Sequence, residues 1–132
     1  MWKRVRRWLR ATLVEREIAA RAQAEQRLAL SEARLRALIE NASEAIWSVD
    51  RDYVLLTFNE VFRAQFADIF GRAPAIGEIV PTDTFWQSLY DRALAGERFT
   101  IEHEYKVEGA TRNQVISLNP IYSDAEVAGV AI

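Results

Sequence analysis

The spacing of hydrophobic residues changes near Asn41 and divides the chain of 132 residues into two parts. From about Trp2 to Glu40 there is no proline or glycine, and Ala, Leu, Arg, Glu and Gln dominate, which is typical of one continuous α-helix. After Asn41 apolar residues recur in short runs with the alternation of strands. We therefore predict a basic tip and long helix in residues 1–40, and a folded domain in residues 41–132.

The folded domain is predicted to open with a β-hairpin. Its strands are AIWSVD (residues 45–50) and YVLLTF (residues 53–58), and Arg51-Asp52 separates them as a tight turn. Three further strands are predicted near the end of the chain. Gly109 joins RFTIEHEYKVE to RNQVISLNPIYS, and AEVAGVAI follows and reaches Ile132.

Two amphipathic helices are predicted between these groups of strands. The first begins after an Asn59 N-cap and ends at Gly71. Its apolar positions are Val61, Phe62, Phe66, Ile69 and Phe70. The second begins at Thr84, where Gln87 three residues later indicates a capping box, and ends at Gly96. This order predicts an α+β fold, a five-stranded antiparallel sheet with helices on one face, preceded by the long N-terminal helix.

The long helix is predicted to pair with a second copy. When Leu28 is placed at heptad position a, Ser31, Leu35 and Leu38 fall at d, a and d. In the same register the upstream positions are Ala24, Arg21, Glu17 and Val14, which form a poor seam. We expect a homodimer through a parallel two-helix coil that is tight near residues 28–38 and loose before them. A single solvated helix is the alternative.

Charge lies in three blocks along the chain, although the net charge is only −2. Residues 1–10 carry five basic and no acidic residues, residues 11–40 carry five of each, and residues 41–132 carry seven basic and fourteen acidic ones. The acidic domain argues against nucleic acid as its partner. The basic tip predicts a membrane-proximal segment, on an anionic membrane surface or beside a membrane helix outside this chain. The tip residues are Trp2, Lys3, Arg4, Arg6, Arg7 and Trp8. Nucleic-acid binding and a frayed solubilising end are the alternatives for this tip.

Several kinds of chemistry are excluded by composition. There is no cysteine, which removes disulfides, thiolate metal sites and cysteine-dependent flavin photochemistry. The only histidine is His103, so neither a histidine metal cluster nor a catalytic group with two histidines is expected. The longest uncharged stretch has eleven residues, 113–123, too few to span a bilayer, and no secretory signal is evident. A cytoplasmic, membrane-proximal location fits these features.

Residues 31–132 resemble a PAS domain. SEARLRALIENASEAIWSVD is similar to the first helix and strand of that family and ends on its turn aspartate, Asp50. Asn59 falls where the family commonly has asparagine at the start of the first core helix, and Gly71 and Gly77 match its spaced glycines. FWQSLYDRALAGERF and LNPIYSDAEVAGVAI resemble PAS modules that precede histidine kinases and diguanylate cyclases. Two features depart from the family: Tyr53 stands at a usual glycine, and the final Asp-x-Thr motif is missing.

The resemblance implies a non-catalytic sensory and dimerisation module. In that family the last strand usually continues to an output domain, so we expect the final strand to be cut short before a C-terminal histidine kinase or diguanylate cyclase. The state of the domain would be relayed as a rotation or register change of the paired helices. Haem is not expected, because PAS domains generally take the axial histidine from the helix before the third strand, and residues 84–95 have none.

A candidate pocket for an unidentified small ligand is predicted from alternation along the strands. In FTIEHEYKV, His103 falls on the same face as Phe99, Ile101, Tyr105 and Val107, so it is expected to face the core, either toward a ligand or toward a neighbouring polar group. Gln114, Ser117 and Asn119 supply polar groups on the next strand, with exposure of half of them to water as the alternative. Trp47, Trp86 and Tyr90 supply aromatic groups. The predicted pocket residues are Trp47, Trp86, His103, Tyr105, Ser117 and Asn119. For the aromatic residues, ordinary core packing is the more common explanation.

Two other classes of function are weighed against the sensory module. One is a pure protein-interaction domain with a filled core and no ligand. The other is a small cone-shaped enzyme resembling ketosteroid isomerases, which needs an apolar pocket with a poised carboxylate. We assign no catalytic residue and no metal ligand, and the two strands before the core helices do not match the element order of those enzymes.

Overall fold

The computed structural model describes residues 2–132, except for the side chain of Val107. The chain divides into two compact units, Met1–Asn41 and Ala42–Ile132. The first unit contains helix α1, Trp2–Glu40, whose 39 residues correspond to a length of about 58 Å. The continuous helix predicted over these residues is confirmed. None of its described residues is buried within this unit.

The second unit is a five-stranded antiparallel sheet with two helices, and the predicted fold class is confirmed. Its strands are β1 (Trp47–Asp50), β2 (Leu55–Phe58), β3 (Phe99–Val107), β4 (Ala110–Ser123) and β5 (Glu126–Ala131). Its helices are α2 (Glu60–Phe70) and α3 (Thr84–Leu94). The strand order across the sheet is β2-β1-β5-β4-β3, so the last strand, β5, lies in the centre between β1 and β4.

Local backbone chemistry explains the two hairpins formed by the last three strands. Glu108 and Gly109 connect β3 to β4, and Asp124 and Ala125 connect β4 to β5. All four residues have positive φ angles, between 50° and 80°. Two-residue loops of this kind match the right-handed twist of the strands that they join. The predicted connection at Gly109 is therefore confirmed.

The two core helices begin with different capping residues. Asn59 is the N-cap of α2, as predicted, and its side chain accepts a hydrogen bond from the amide of Phe62. The predicted capping box at Thr84 is wrong, because Asp83 is the N-cap of α3 and accepts from the amide of Trp86. Aspartate is an equally good N-cap, so the capping residue lies one position before the predicted one.

One hydrophobic core lies between the sheet and its two helices. Its buried residues include Val49, Leu55, Phe62, Phe66, Val80, Leu89, Tyr90, Ala93, Ile116, Leu118 and Val130. The predicted apolar face of α2 is only partly used, because Ile69 is 73% exposed and Phe70 is also exposed. These two residues form the last turn of α2, where the helix extends past the core that Phe62 and Phe66 contact.

Candidate functional site

An aromatic cluster, Trp47, Phe62, Phe85, Trp86 and Tyr90, connects the sheet to both core helices. Trp47 lies on β1, with its ring centroid 4.7 Å from Phe62 of α2 and 5.5 Å from Trp86 of α3. Trp86 in turn contacts Phe85 and Tyr90, each at 5.8 Å. These distances and tilted orientations are favourable for aromatic pairs. The structure thus brings together Trp47 and Trp86, two residues of the predicted pocket.

Tyr90 is the polar centre of this aromatic cluster. The indole nitrogen of Trp47 donates a hydrogen bond to its hydroxyl oxygen at 3.0 Å. Tyr90 is 1% exposed, and this burial raises the pKa of its hydroxyl from 10.0 to about 12, although the hydrogen bond from Trp47 partly opposes the rise. Tyr90 is therefore a neutral hydroxyl at physiological pH that joins α3 to β1, and it is unsuited to act as a base there.

His103 extends the aromatic cluster along β3. Its ring stacks on Phe85 with 4.3 Å between centroids and an interplanar angle of 22°. The side-chain nitrogen of Gln114 lies 2.9 Å from His103 Nδ1. Because an amide nitrogen only donates, Nδ1 accepts and the neutral ring carries its proton on Nε2. His103 is half-buried, with a polar neighbour on one side and an aromatic ring on its face.

Of the remaining predicted pocket residues, Tyr105 lies at the edge of this arrangement and Ser117 lies apart from it. Tyr105 has its ring 6.2 Å from His103 and is 37% exposed. Ser117 is exposed, and its hydroxyl pairs with that of Thr100 at 2.9 Å. Its neighbours along β4, Ile116 and Leu118, are the residues buried in the core, so Ser117 faces the opposite side of the sheet.

Asn119 lies two residues after Ser117 on β4, and therefore on the same face of the strand. It is half-buried and pairs with Ala131 of β5. On the core side of β4, the residue beside His103 is Gln114, which the sequence predicts as a polar group of this strand but not as a member of the candidate pocket.

Tyr53 forms a link that the sequence did not predict. It occupies the turn between β1 and β2 with φ +62°, the backbone conformation that glycine most readily adopts. Asp50 closes this turn, because its Oδ1 accepts from the amides of Asp52 at 2.8 Å and Val54 at 3.0 Å. The Tyr53 hydroxyl donates a short hydrogen bond to Asp91 of α3, and that bond is the main cause that raises its pKa above the usual range.

The tyrosine side chain gives a physical reason for the departure from glycine. Its ring lies 5.6 Å from that of Tyr90, so the residue contacts α3 through both the ring and the hydroxyl. A glycine would adopt the same backbone more readily but would make neither contact. The turn therefore keeps the conformation typical of glycine while the side chain ties the hairpin to α3.

Asn59 holds the segment before β1 against the start of α2. Its Oδ1 accepts from the amides of Ile46 and Phe62, each at 3.0 Å, and its Nδ2 donates to the carbonyl of Glu44 at 2.8 Å. The residue is 1% exposed. These bonds satisfy both the oxygen and the nitrogen of the buried side-chain amide. Asn59 therefore has a structural role and is not a free ligand-binding group.

The surface of α1 carries the other predicted functional residues. Leu28, Leu35 and Leu38 are 58–70% exposed in this unit, and Ser31 is exposed as well. All of the tip residues from Trp2 to Arg10 are also exposed. Among residues 2–132, no helix combines the length and apolar character required to cross a bilayer. The same described residues contain no cluster of three acidic, histidine or cysteine side chains arranged to hold a metal ion.

Comparison with known proteins finds solved structures similar to this chain. No family model and no curated protein matches the sequence. The solved structure of the PAS domain of BvgS from Bordetella pertussis matches with a TM-score of 0.54 and 19% identity, over 81% of this chain and 85% of that one. The PAS domain of an HTR-like protein from Haloarcula marismortui matches with a TM-score of 0.47 and 24% identity, over 83% and 94%. A sensory box sensor histidine kinase from Vibrio cholerae matches with a TM-score of 0.49 and 24% identity, over 85% of this chain and 89% of that one.

The chain therefore has the PAS fold, as its sequence resemblance predicted. The features that support this conclusion in the chain itself are the strand order β2-β1-β5-β4-β3 and the two core helices between β2 and β3.

Proposed function

We propose that the chain is a non-catalytic PAS sensory module that dimerises through α1 and relays its state to a C-terminal output domain, a histidine kinase or a diguanylate cyclase. The single observation that carries this proposal is the exposure of Leu28, Leu35 and Leu38 on one side of a helix that precedes, in the sequence, a unit with the PAS fold. The type of output domain rests on the sequence resemblance of residues 85–99 and 118–132.

The charges beside this leucine seam support a parallel arrangement of two copies. With Leu28 at position a, Arg27 falls at g and Glu32 at e of the following heptad. In a parallel pair, g of one helix lies beside the next e of its partner, so Arg27 and Glu32 of opposite copies attract each other. Burial of a leucine side chain stabilises by about 1.5–3 kcal/mol, so the three leucines of each copy supply most of the association free energy.

Light scattering on the full chain tests this seam. The variant with Leu35→Lys and Leu38→Lys is expected to be a monomer at concentrations where the parent chain is a dimer, because four lysines would face each other in the pair. The matched control carries Leu30→Lys and Ala33→Lys, which fall at positions c and f of the same heptads. This control should remain a dimer. If the variant with Leu35→Lys and Leu38→Lys is also a dimer, the proposed interface is refuted.

The proposed input site is the end of the aromatic cluster where Phe85, His103 and Gln114 meet. The proton on His103 Nε2 is available to donate, while the Phe85 ring covers one face of the imidazole. A small planar or polar ligand would meet both an aromatic surface and a hydrogen-bond donor there. Native mass spectrometry of the purified chain tests this, and a co-purified small molecule that His103→Leu releases would support the site.

A second candidate function is a protein-interaction domain that takes no ligand. It is favoured by the close ring contacts of the aromatic cluster, whose centroids lie 4.7–5.8 Å apart and show that protein side chains occupy this part of the core. If native mass spectra show only the bare chain and tryptophan fluorescence does not respond to a panel of small metabolites, this second function is preferred.

A further inference from the structure

Residues 2–13 contain an apolar helix face that the proposed dimer does not use. Helix α1 begins at Trp2, and with about 100° of rotation per residue the side chains of four apolar residues fall within an arc of about 80°. These residues are Trp2, Val5, Leu9 and Leu13, and they are 44–76% exposed. We call them the tip face. Further along the same side of the helix come Arg16 and Arg27, so the tip face ends at Leu13.

The other side of the same segment is predominantly cationic. Five basic side chains occupy an arc of about 160° opposite the tip face. They are Lys3, Arg4, Arg6, Arg7 and Arg10, all exposed. The first acidic residue of the chain is Glu15, so residues 2–14 contain no carboxylate that could neutralise them. An amphipathic helix with this charge is complementary to an anionic surface that also offers an apolar layer.

The heptad register separates this surface from the leucine seam. With Leu28 at a, the seam positions near the tip are Arg7 at a and Arg10 at d, which would repel their counterparts in a second copy. Leu9 and Leu13 fall at c and g, outside the a and d positions. A second copy of α1 therefore leaves the tip face open. A nucleic acid would engage the five cations but would leave the same apolar face in water.

We propose that residues 2–13 form an interfacial helix that binds an anionic lipid bilayer. Val5, Leu9 and Leu13 enter the boundary between headgroups and acyl chains, and Trp2 and Trp8 lie at headgroup level, the depth that tryptophan prefers. The cations contact the anionic headgroups. This inference is independent of the sensory proposal, because it depends only on residues of the tip.

Vesicle sedimentation of the full chain in 100 mM salt tests the proposal. The chain is expected to sediment with vesicles of phosphatidylcholine and phosphatidylglycerol in a 3:1 ratio, and to stay in solution with phosphatidylcholine alone. Leu9→Gln with Leu13→Gln should lower the partition coefficient at least about tenfold. Arg6→Gln, Arg7→Gln and Arg10→Gln together should lower it about 100-fold, at about fivefold for each cation near the surface.

The matched control changes two other exposed apolar residues of α1, Ile18→Gln and Leu30→Gln, and should partition like the parent chain. Circular dichroism of every variant verifies that the helix is retained. Equal sedimentation with both lipid compositions, or no sedimentation with the anionic one, would overturn the proposal. So would full binding by the Leu9 and Leu13 variant, which would indicate adsorption by charge alone. Tighter binding to a 20-base-pair duplex than to the vesicles would favour nucleic acid instead.

Discussion

The indole nitrogen of Trp47 donates a hydrogen bond of 3.0 Å to the hydroxyl of Tyr90, and this bond joins β1 to α3. Because burial raises the pKa of Tyr90 from 10.0 to about 12, folding favours its neutral form. The contribution of this group to stability is complete below pH 10 and is lost as the pH rises through 12. We expect the free energy of unfolding to fall by about 2–3 kcal/mol over this window, measured by denaturant titration at successive pH values.

The control for this pH dependence is Tyr90→Phe, which keeps the ring and removes the ionisable group. At pH 8 it should be destabilised by about 1–2 kcal/mol, because the Trp47 nitrogen loses its acceptor. Between pH 10 and 12 its stability should change less than that of the parent chain. Identical alkaline profiles for the two proteins would show that Tyr90 is not responsible.

The hydrogen bond from Tyr53 to Asp91 is expected to couple the first hairpin to α3. We predict a coupling free energy of about 0.5–1 kcal/mol in a double-mutant cycle of Tyr53→Phe and Asp91→Ala, since the pair is exposed and water competes for both groups. Chemical denaturation of the four proteins measures it. Strictly additive effects of the two substitutions would contradict a stabilising bond.

Asn59→Ala should destabilise the domain more than loss of an ordinary helix cap. The substitution removes the acceptor of the Ile46 and Phe62 amides and the donor to Glu44, all at a buried position, so we expect about 3 kcal/mol. Asp83→Ala removes only the exposed cap of α3 and should cost about 1 kcal/mol. If thermal or denaturant melts give equal losses for the two variants, the bonds to residues 44 and 46 contribute nothing measurable.

Gly129→Ala is expected to disturb the pairing of β1 with β5. A Cβ atom at this position would lie 2.4 Å from the carbonyl oxygen of Val49, a backbone atom of the neighbouring strand that cannot rotate away. We predict a loss of about 2–3 kcal/mol in the free energy of unfolding. Gly109→Ala is the comparison: its Cβ meets open space, and only its φ of +80° opposes the change, which should cost about 1 kcal/mol.

Much of the local structure of this chain follows from short stretches of sequence. The absence of proline and glycine predicted α1 correctly, and Asn59 and Gly71 marked the two ends of α2. Alternation along β3 correctly placed His103 on the same face as the half-buried residues Phe99 and Ile101. These predictions hold because a helix cap or a strand face depends on residues only a few positions apart.

Predictions that needed a choice between equivalent local patterns were less successful. Thr84 and Asp83 are both good capping residues, and in the structure Asp83 has the extended backbone of an N-cap while Thr84 is the first helical residue. Both faces of β4 contain polar residues, and only the burial of Ile116 and Leu118 shows that Ser117 faces away from the core. When a strand has polar residues on both faces, a short stretch of sequence does not specify which face the helices cover.

The amino-acid sequence alone accounts for the secondary-structure order, the separation of a cationic tip from an acidic domain, and the resemblance to PAS domains. Each of these properties depends on residues that are close together in the sequence. The contacts of Trp47 with Tyr90, of Tyr53 with Asp91 and of Gly129 with Val49 join residues 38 to 80 positions apart. They arise only when the sheet and helices have packed, because strand order and register bring together backbone and side-chain atoms that no local pattern relates.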